Sequence, residues 1–208
     1  MHPEEPPDAL TAQTLAHYDD SADVFWEGTR NHDVSQNYAA FLGAIEGPSP
    51  LTLLDLGCGP GRDVLHFSSL GHAVTGLDGS ARFVEMARTL TRCPILHQDF
   101  LHLDLPRGHF AGIFANASLF HVPRAALPGV LTSLAEALKP RGVLFSSNPR
   151  GPDREGVSRR RYGYYVEMPT WRGYMTAAGF EEVEHYYRPA GLPRSEQPWL
   201  ASVWRKAG

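Results

Sequence analysis

The spacing of apolar positions changes repeatedly along this chain, and each change predicts an element. Leu51 to Leu56 is a nearly unbroken apolar run of strand length. From Arg62 the apolar positions shift to Val64, Leu65, Phe67 and Leu70, one face of a helix, and Gly71 stands where a C-terminal glycine cap is expected. The alternation continues through a strand at 73–78, a helix at 80–90, strands at 94–97 and 110–116, a helix at 124–138 and a strand at 142–147. Strands alternating with helices predict an α/β fold: a doubly wound parallel sheet covered on both faces.

The flanking segments read differently. Residues 1–8 form an acidic, proline-rich stretch expected to be a disordered tail, and Ala9 to about Ala44 reads as helical segments broken near Gly28. Gly47-Pro48-Ser49-Pro50 punctuates the entry to the alternating region. Asn148 to Pro169 is rich in Gly, Arg and Tyr without a clear period and is expected to be a loop. Thr170 to Ala178 then predicts a helix capped by Gly179, followed by two strands near 181–187 and 199–205. No internal repeat or second domain is visible, so 9–208 is expected to be a single domain.

The turn after the first strand carries the chemistry. Asp55 is followed by Gly57, Gly59 and Gly61, placed where a chain must turn sharply and let a ligand approach the backbone. The second strand closes on Asp78, where a carboxylate in doubly wound folds takes ribose hydroxyls. A nicotinamide dinucleotide is the obvious competitor. In the G-x-G-x-x-G pattern counted from Gly57, however, Arg62 falls where the third glycine belongs, and Asp55 puts negative charge beside a pyrophosphate position. S-adenosylmethionine, with its ammonium and sulfonium, suits such a loop better.

With these residues the sequence resembles the class I S-adenosylmethionine-dependent methyltransferases. Asp55-Leu56-Gly57-Cys58-Gly59-Pro60-Gly61 is similar to their first motif, Gly76-Leu77-Asp78-Gly79-Ser80 to their second, and Gln98-Asp99-Phe100 to the adenine-contacting stretch after the third strand. Phe110–Leu119 fits their fourth strand, and Leu138–Leu144 fits the helix end and turn before the fifth. One departure is that Ala111 and Gly112 follow Phe110, where members often carry Asp.

The resemblance covers roughly 15–205. It implies a Rossmann-like seven-stranded sheet with helices on both faces, the last strand antiparallel, and an N-terminal helical lid. Residues 9–46 would be the lid, 51–147 the cofactor-binding core, 148–168 a substrate-side loop, and 169–208 the C-terminal helix and edge strands. It further implies S-adenosylmethionine as cofactor, S-adenosylhomocysteine as product, and no metal. Asp55, Gly57, Gly59 and Gly61 would lie at the methionyl end, with Cys58 a small filler of that loop. Asp78 and Gly79 would lie at the ribose, Asp99 and Phe100 at the adenine, and Asn116, Ala117 and Ser118 along the pocket after the fourth strand. Asp78 and Asp99 would serve equally as turn caps. The Gly59-Pro60-Gly61-Arg62-Asp63 continuation is similar to small bacterial enzymes of the tellurite-resistance and small-molecule branch.

Composition narrows the setting. The chain has 208 residues, 42% of them hydrophobic, enough for one sizeable core. A net charge of -4 offers no global attraction for polyphosphate, so a nucleic acid partner is disfavoured. Two cysteines, Cys58 and Cys93, make no disulfide framework, and no run approaches the ~20 apolar residues of a spanning helix, which points to a cytoplasmic protein without a membrane partner.

The methyl acceptor must be met by the more variable segments. Trp26 and His32, in the aromatic and polar stretch Phe25–Tyr38, are candidates for the pocket, whereas Tyr18, Phe25 and Tyr38 read equally as packing residues. His121, after the fourth strand, is placed to accept a proton near neutral pH, with His32 a second candidate. His121 would equally serve as a structural group bonded to backbone. Arg150 and Arg161, with Tyr164 and Tyr165, belong to a local basic cluster able to hold a carboxylate or phosphate, unless the segment is a solvated loop. Asn116-Ala117-Ser118-Leu119 lacks the Asn/Asp-Pro-Pro-aromatic motif of amino-group methylases. Cys93-Pro94 reverses the Pro-Cys of cytosine methylases. The expectation is methyl transfer to O, N or S of a small molecule, an anionic one among the candidates, by a monomer or homodimer. The alternatives are a protein or RNA methyltransferase and a non-catalytic cofactor-binding module.

Overall fold

The computed structural model describes residues 5–208; residues 1–4, half of the expected tail, lie outside it. Pro7 and Asp8, assigned to that tail, instead open the first helix, where proline at the first turn forfeits no intrahelical bond.

Seven strands form one sheet in the order β3-β2-β1-β4-β5-β9-β8. They are β1 (Thr52–Leu56), β2 (Ala73–Asp78), β3 (Ile95–His97), β4 (Phe110–Asn116), β5 (Leu138–Pro149), β8 (Phe180–Arg188) and β9 (Trp199–Lys206). β1 pairs in parallel with β2 and β4, and β4 with β5. The last strand, β9, runs antiparallel to both neighbours, β5 and β8. This is the Rossmann-like seven-stranded arrangement implied by the resemblance.

Neighbouring residues on each strand face opposite cores, which explains the unbroken apolar runs. Leu53, Phe114, Phe145 and Val203 pack with Phe41, Val64, Phe67, Val84 and Ala87 on one face. Leu54, Ile113, Leu144 and Trp204 pack with Leu131, Leu134, Trp171 and Met175 on the other. Helices α2 (Ser35–Ala44), α3 (Arg62–Ser69) and α4 (Ala81–Leu90) cover the first face, and α5 (Leu127–Ala137) and α6 (Met168–Ala177) the second.

Two expectations fail. Helix α1 runs unbroken from Pro7 to Thr29 through Gly28, because a glycine in an exposed last turn costs only ~1 kcal/mol; the break comes at Arg30–Val34. And 148–168 is not a loop. Arg154–Ser158 (β6) and Arg161–Tyr165 (β7) form a separate hairpin. Its turn, Arg159-Arg160, has positive φ at both residues, 49° and 63°, a conformation normally marked by Asn or Gly. β7 is tied to α1 by the Tyr162 amide donating to Thr14 Oγ1.

The sheet reverses its strand order between β1 and β4, so the chain leaves β1 towards one edge and β4 towards the other. In open α/β sheets the crevice beyond the carboxyl ends of such strands is the ligand site.

Candidate active site

A cavity of about 630 Å³ opens there, within the usual ~300–1,000 Å³ range of small-molecule sites. Its floor is the loop after β1. Gly57, Gly59 and Gly61 have φ of 74°, 52° and 97°, but their jobs differ. A Cβ on Gly57 would stand 2.5 Å from Ser118 Cβ, so glycine is required for the loop to pass the turn after β4. Gly59 is open except for Phe25 at 3.7 Å and faces the cavity. Gly61 does not line the cavity; it brings the start of α3 against Ala87 of α4.

Asp78, at the end of β2, lies in the wall with Gly79. It accepts from the Gly59 amide at 2.8 Å and the Ser80 amide at 2.9 Å, bridging the two βα turns. Two further acceptor positions remain for ligand hydroxyls. Burial pushes its pKa up to about 6, against the pull of those amides. Asp99 caps a 3₁₀ turn, accepting from the Leu101 and His102 amides, while still lining the cavity beside Phe100. Asn116, Ala117, Ser118 and Cys58 also line it. The buried hydroxyl of Ser118 has no partner. Cys58 is enclosed, and burial holds its thiol well above the ordinary value, so it is a filler rather than a nucleophile.

Asp55, expected at the methionyl end, does not reach the cavity wall. It is buried beneath the loop with Oδ2 unpartnered, and burial together with the charge of Asp63 pushes its pKa well up. Asp63 does line the wall, and it accepts from Tyr38 at 2.5 Å and from Arg62 at 2.6 Å. Asn116 donates to Asp63 and accepts from Asn37, whose own Oδ1 accepts from Tyr186. This network fixes the end of β4 to α2, α3 and β8. It also absorbs Tyr38, which stacks on His66 and lies outside the cavity.

Helix α1 supplies the opposite wall with Leu15, Tyr18, Phe25, Trp26 and Thr29, and His32 follows at the exposed rim. α2 belongs to the core, its Phe41 fully buried. His121 lines the cavity but has no free nitrogen. Nδ1 lies 2.6 Å from the Tyr162 carbonyl, which can only accept, so Nδ1 carries the hydrogen and Nε2 accepts from the Tyr18 hydroxyl at 2.7 Å. Burial lowers its pKa to about 4, with the charge of Arg161 adding to the effect. His121 is a pin joining α1, the turn after β4 and β7, and the expected acid-base role finds no geometry.

Of the basic cluster only Arg161 lines the cavity. Arg150 is consumed by Glu167 and by the carbonyls of Arg194 and Gln197. Tyr164 lies in a separate surface depression with Arg124 and Tyr174, and Tyr165 packs under Gly151 and Gly163. Phe83, Leu15, Arg188 and Trp199 line the cavity without having been singled out. Leu15 and Phe83 look like ordinary core positions of their helices, and Arg188 and Trp199 lie on distant strands, so no local signal marks them.

Residues 53–142 match the family model of a methyltransferase domain. No curated protein matches the chain. Among solved structures, the 1,6-didemethyltoxoflavin-N1-methyltransferase of Burkholderia thailandensis, with bound 1,6-didemethyltoxoflavin and S-adenosylhomocysteine, superposes with a TM-score of 0.80 at 24% identity, covering 100% of this chain and 93% of that one. A DhpI complex with S-adenosylhomocysteine gives 0.73 at 20%, covering 96% and 97%. The [4+2]-cyclase SpnF gives 0.73 at 17%, covering 96% and 97%. At these identities the likeness establishes the fold. With the domain match over residues 53–142 and the fold over the whole length, the chain carries a methyltransferase domain and has the fold of the class I S-adenosylmethionine-dependent methyltransferases.

Proposed function

We propose that this protein transfers a methyl group from S-adenosylmethionine to a small molecule held under α1, beside Arg161. The carrying observation is a cavity of about 630 Å³ whose floor is the Gly57–Gly59 loop, whose one side is Asp78, and whose roof is aromatic. The residues present fit the cofactor. The bare Gly59 backbone leaves room for the methionyl chain, Asp78 has acceptor positions left for the ribose, and Phe100 with the Asp99 turn flanks the adenine end.

When bound, S-adenosylmethionine supplies an electrophilic methyl on a sulfonium. The protein's share is alignment and exclusion of water, for which proximity alone contributes ~7–11 kcal/mol. Tyr18, Phe25 and Phe83 place aromatic rings in the wall, a lining able to stabilise a cation. The roof formed by α1 leaves a compartment suited to a small acceptor. The 1,6-didemethyltoxoflavin-N1-methyltransferase supports this reading by binding 1,6-didemethyltoxoflavin together with S-adenosylhomocysteine. SpnF carries a different chemistry on the same frame, so the fold alone does not fix the reaction.

The test is methyl transfer from methyl-labelled S-adenosylmethionine to panels of small molecules, with RNA and protein as parallel arms. Label in a small-molecule product supports the proposal; label only in macromolecules, or none with cofactor bound, contradicts it.

A further inference from the structure

We infer that Arg161 recognises an oxyanion on an aromatic acceptor, so that the nucleophile enters the site already deprotonated. This rests on the methyltransferase reading and adds the chemical class of the acceptor.

One wall of the cavity is a continuous run of rings. Centroids are 5.1 Å apart for Phe83 and Phe25, 5.6 Å for Phe25 and Tyr18, 5.4 Å for Tyr18 and His121, and 3.9 Å for His121 and Phe120. The run leads from the cofactor side, where Phe83 follows β2, to Phe120 beyond β4. Interplanar angles of 47°, 87°, 78° and 37° turn successive rings between face and edge, so the wall offers a flat ligand single rings to stack on or to meet edge-on.

Over this wall sits one uncompensated cation. The Arg161 guanidinium lies 5.9 Å from the Tyr18 ring centroid. Its neighbour Arg160 pairs with Asp20, and Arg150 with Glu167. The other guanidiniums of the cavity are engaged: Arg62 with Asp63, and Arg188 with the Asp33 carbonyl. Among the described residues Arg161 has no carboxylate partner, and its buried Nε has no hydrogen-bond partner. A partly enclosed guanidinium against an apolar wall is costly without an anion to offset it, and its fork matches an oxyanion bidentately.

The missing base points the same way. Both nitrogens of His121 are engaged, and the Tyr18 hydroxyl donates to it. An acceptor that arrives as an oxyanion needs neither. Its oxygen forms a bond to the methyl carbon, the carbon–sulfur bond breaks, the electron pair returns to sulfur, and no proton moves. The acceptor's negative charge and the sulfonium's positive charge are both consumed, leaving neutral reacting centres.

A carboxylate on Arg161 has two sources, the acceptor or the cofactor's own methionyl end, and binding experiments separate them. Titration calorimetry would use S-adenosylhomocysteine, 5′-methylthioadenosine, which lacks the carboxylate, and, on protein saturated with S-adenosylhomocysteine, a set of aromatic carboxylates and acidic phenols headed by 4-hydroxybenzoate with its methyl ester. The expected result is binding of at least one aromatic acid, about 30-fold weaker in Arg161→Gln and about 30-fold weaker for the ester, the size expected when a buried charge pair loses one partner. S-adenosylhomocysteine affinity stays unchanged. Arg161→Lys, which keeps the charge and loses the fork, falls between.

The inference is overturned if no aromatic acid binds, if acid and ester or parent and Arg161→Gln bind alike, or if Arg161→Gln weakens S-adenosylhomocysteine while sparing 5′-methylthioadenosine. That last result assigns the arginine to the cofactor. Failure of S-adenosylhomocysteine to bind the parent protein is a different outcome and removes the methyltransferase reading itself.

Discussion

The two walls of the cavity are built by different means. On the floor, the backbone between β1 and α3 does the work. Gly57 passes Ser118 where no Cβ fits, and Asp78 ties the loop amide of Gly59 to that of Ser80. On the roof, side chains from distant parts of the chain do it. His121 joins Tyr18 to the Tyr162 carbonyl, and Thr14 receives the Tyr162 amide. The floor is specified locally and suits a constant ligand; the roof is specified by tertiary contacts and can change with the acceptor while the floor stays.

Substitutions should separate the two. The largest effect is expected from Gly57→Ala, which forces a Cβ into the turn after β4 at a left-handed φ. Adding the left-handed strain to overpacking gives a loss of roughly 2–5 kcal/mol in denaturant unfolding, together with loss of S-adenosylhomocysteine binding. Asp78→Ala comes next. Removing the carboxylate proposed to take ligand hydroxyls should raise the dissociation constant by about 10- to 100-fold, the range for charge-assisted bonds. If a roof substitution such as Tyr18→Phe cost the cofactor as much, the division between floor and roof would fail.

Titration gives the same contrast without mutation. The pKa of Asp78 is raised to about 6, so between the ordinary carboxylate value and 6 the folded protein holds a proton that the unfolded chain has released. Its contribution to stability therefore falls as pH rises through that window. Ligand hydroxyls prefer the ionised form, so cofactor affinity moves the other way, weakening about tenfold per pH unit below 6. Asp78→Asn should flatten the profile. His121, with its pKa lowered to about 4, stays neutral above that value and should leave no mark near neutrality.

Smaller changes test the roof. His121→Ala leaves the Tyr18 hydroxyl and the Tyr162 carbonyl without partners and should cost about 1–3 kcal/mol in thermal or denaturant unfolding. Arg150→Ala should destabilise the β5–α6 connection yet leave S-adenosylhomocysteine affinity unchanged, because its partners are Glu167 and backbone carbonyls. A loss of cofactor binding there would return Arg150 to the site.

The same difference explains what was legible in the sequence. Strand and helix order from 51 to 147 follows from apolar spacing, since both sheet faces are covered. The hairpin at 154–165 was hidden because Arg159 and Arg160 take the left-handed turn that Asn or Gly would have announced. Gly28 misled because a helix tolerates glycine near its exposed end. In the cavity, Gly57, Gly59 and Asp78 were readable from their places at the ends of strands, whereas Gly61 turned out to serve the packing of α3 on α4. Leu15 and Phe83 were not, because an apolar residue lining a cavity leaves the same trace as one filling a core. Asp55 does not reach the cavity because, as the penultimate residue of β1, it is buried beneath the loop, and sequence alone does not reveal on which side of the loop such a carboxylate comes to rest.

The most direct measurement is calorimetric titration of the protein and of Asp78→Ala with S-adenosylhomocysteine at pH 7 and pH 5. The structure predicts saturable binding at pH 7, weaker binding at pH 5, and about 10- to 100-fold loss in the variant. Absence of binding by the parent protein, or affinity indifferent to both pH and Asp78, would contradict the assignment of this cavity to the methyl donor.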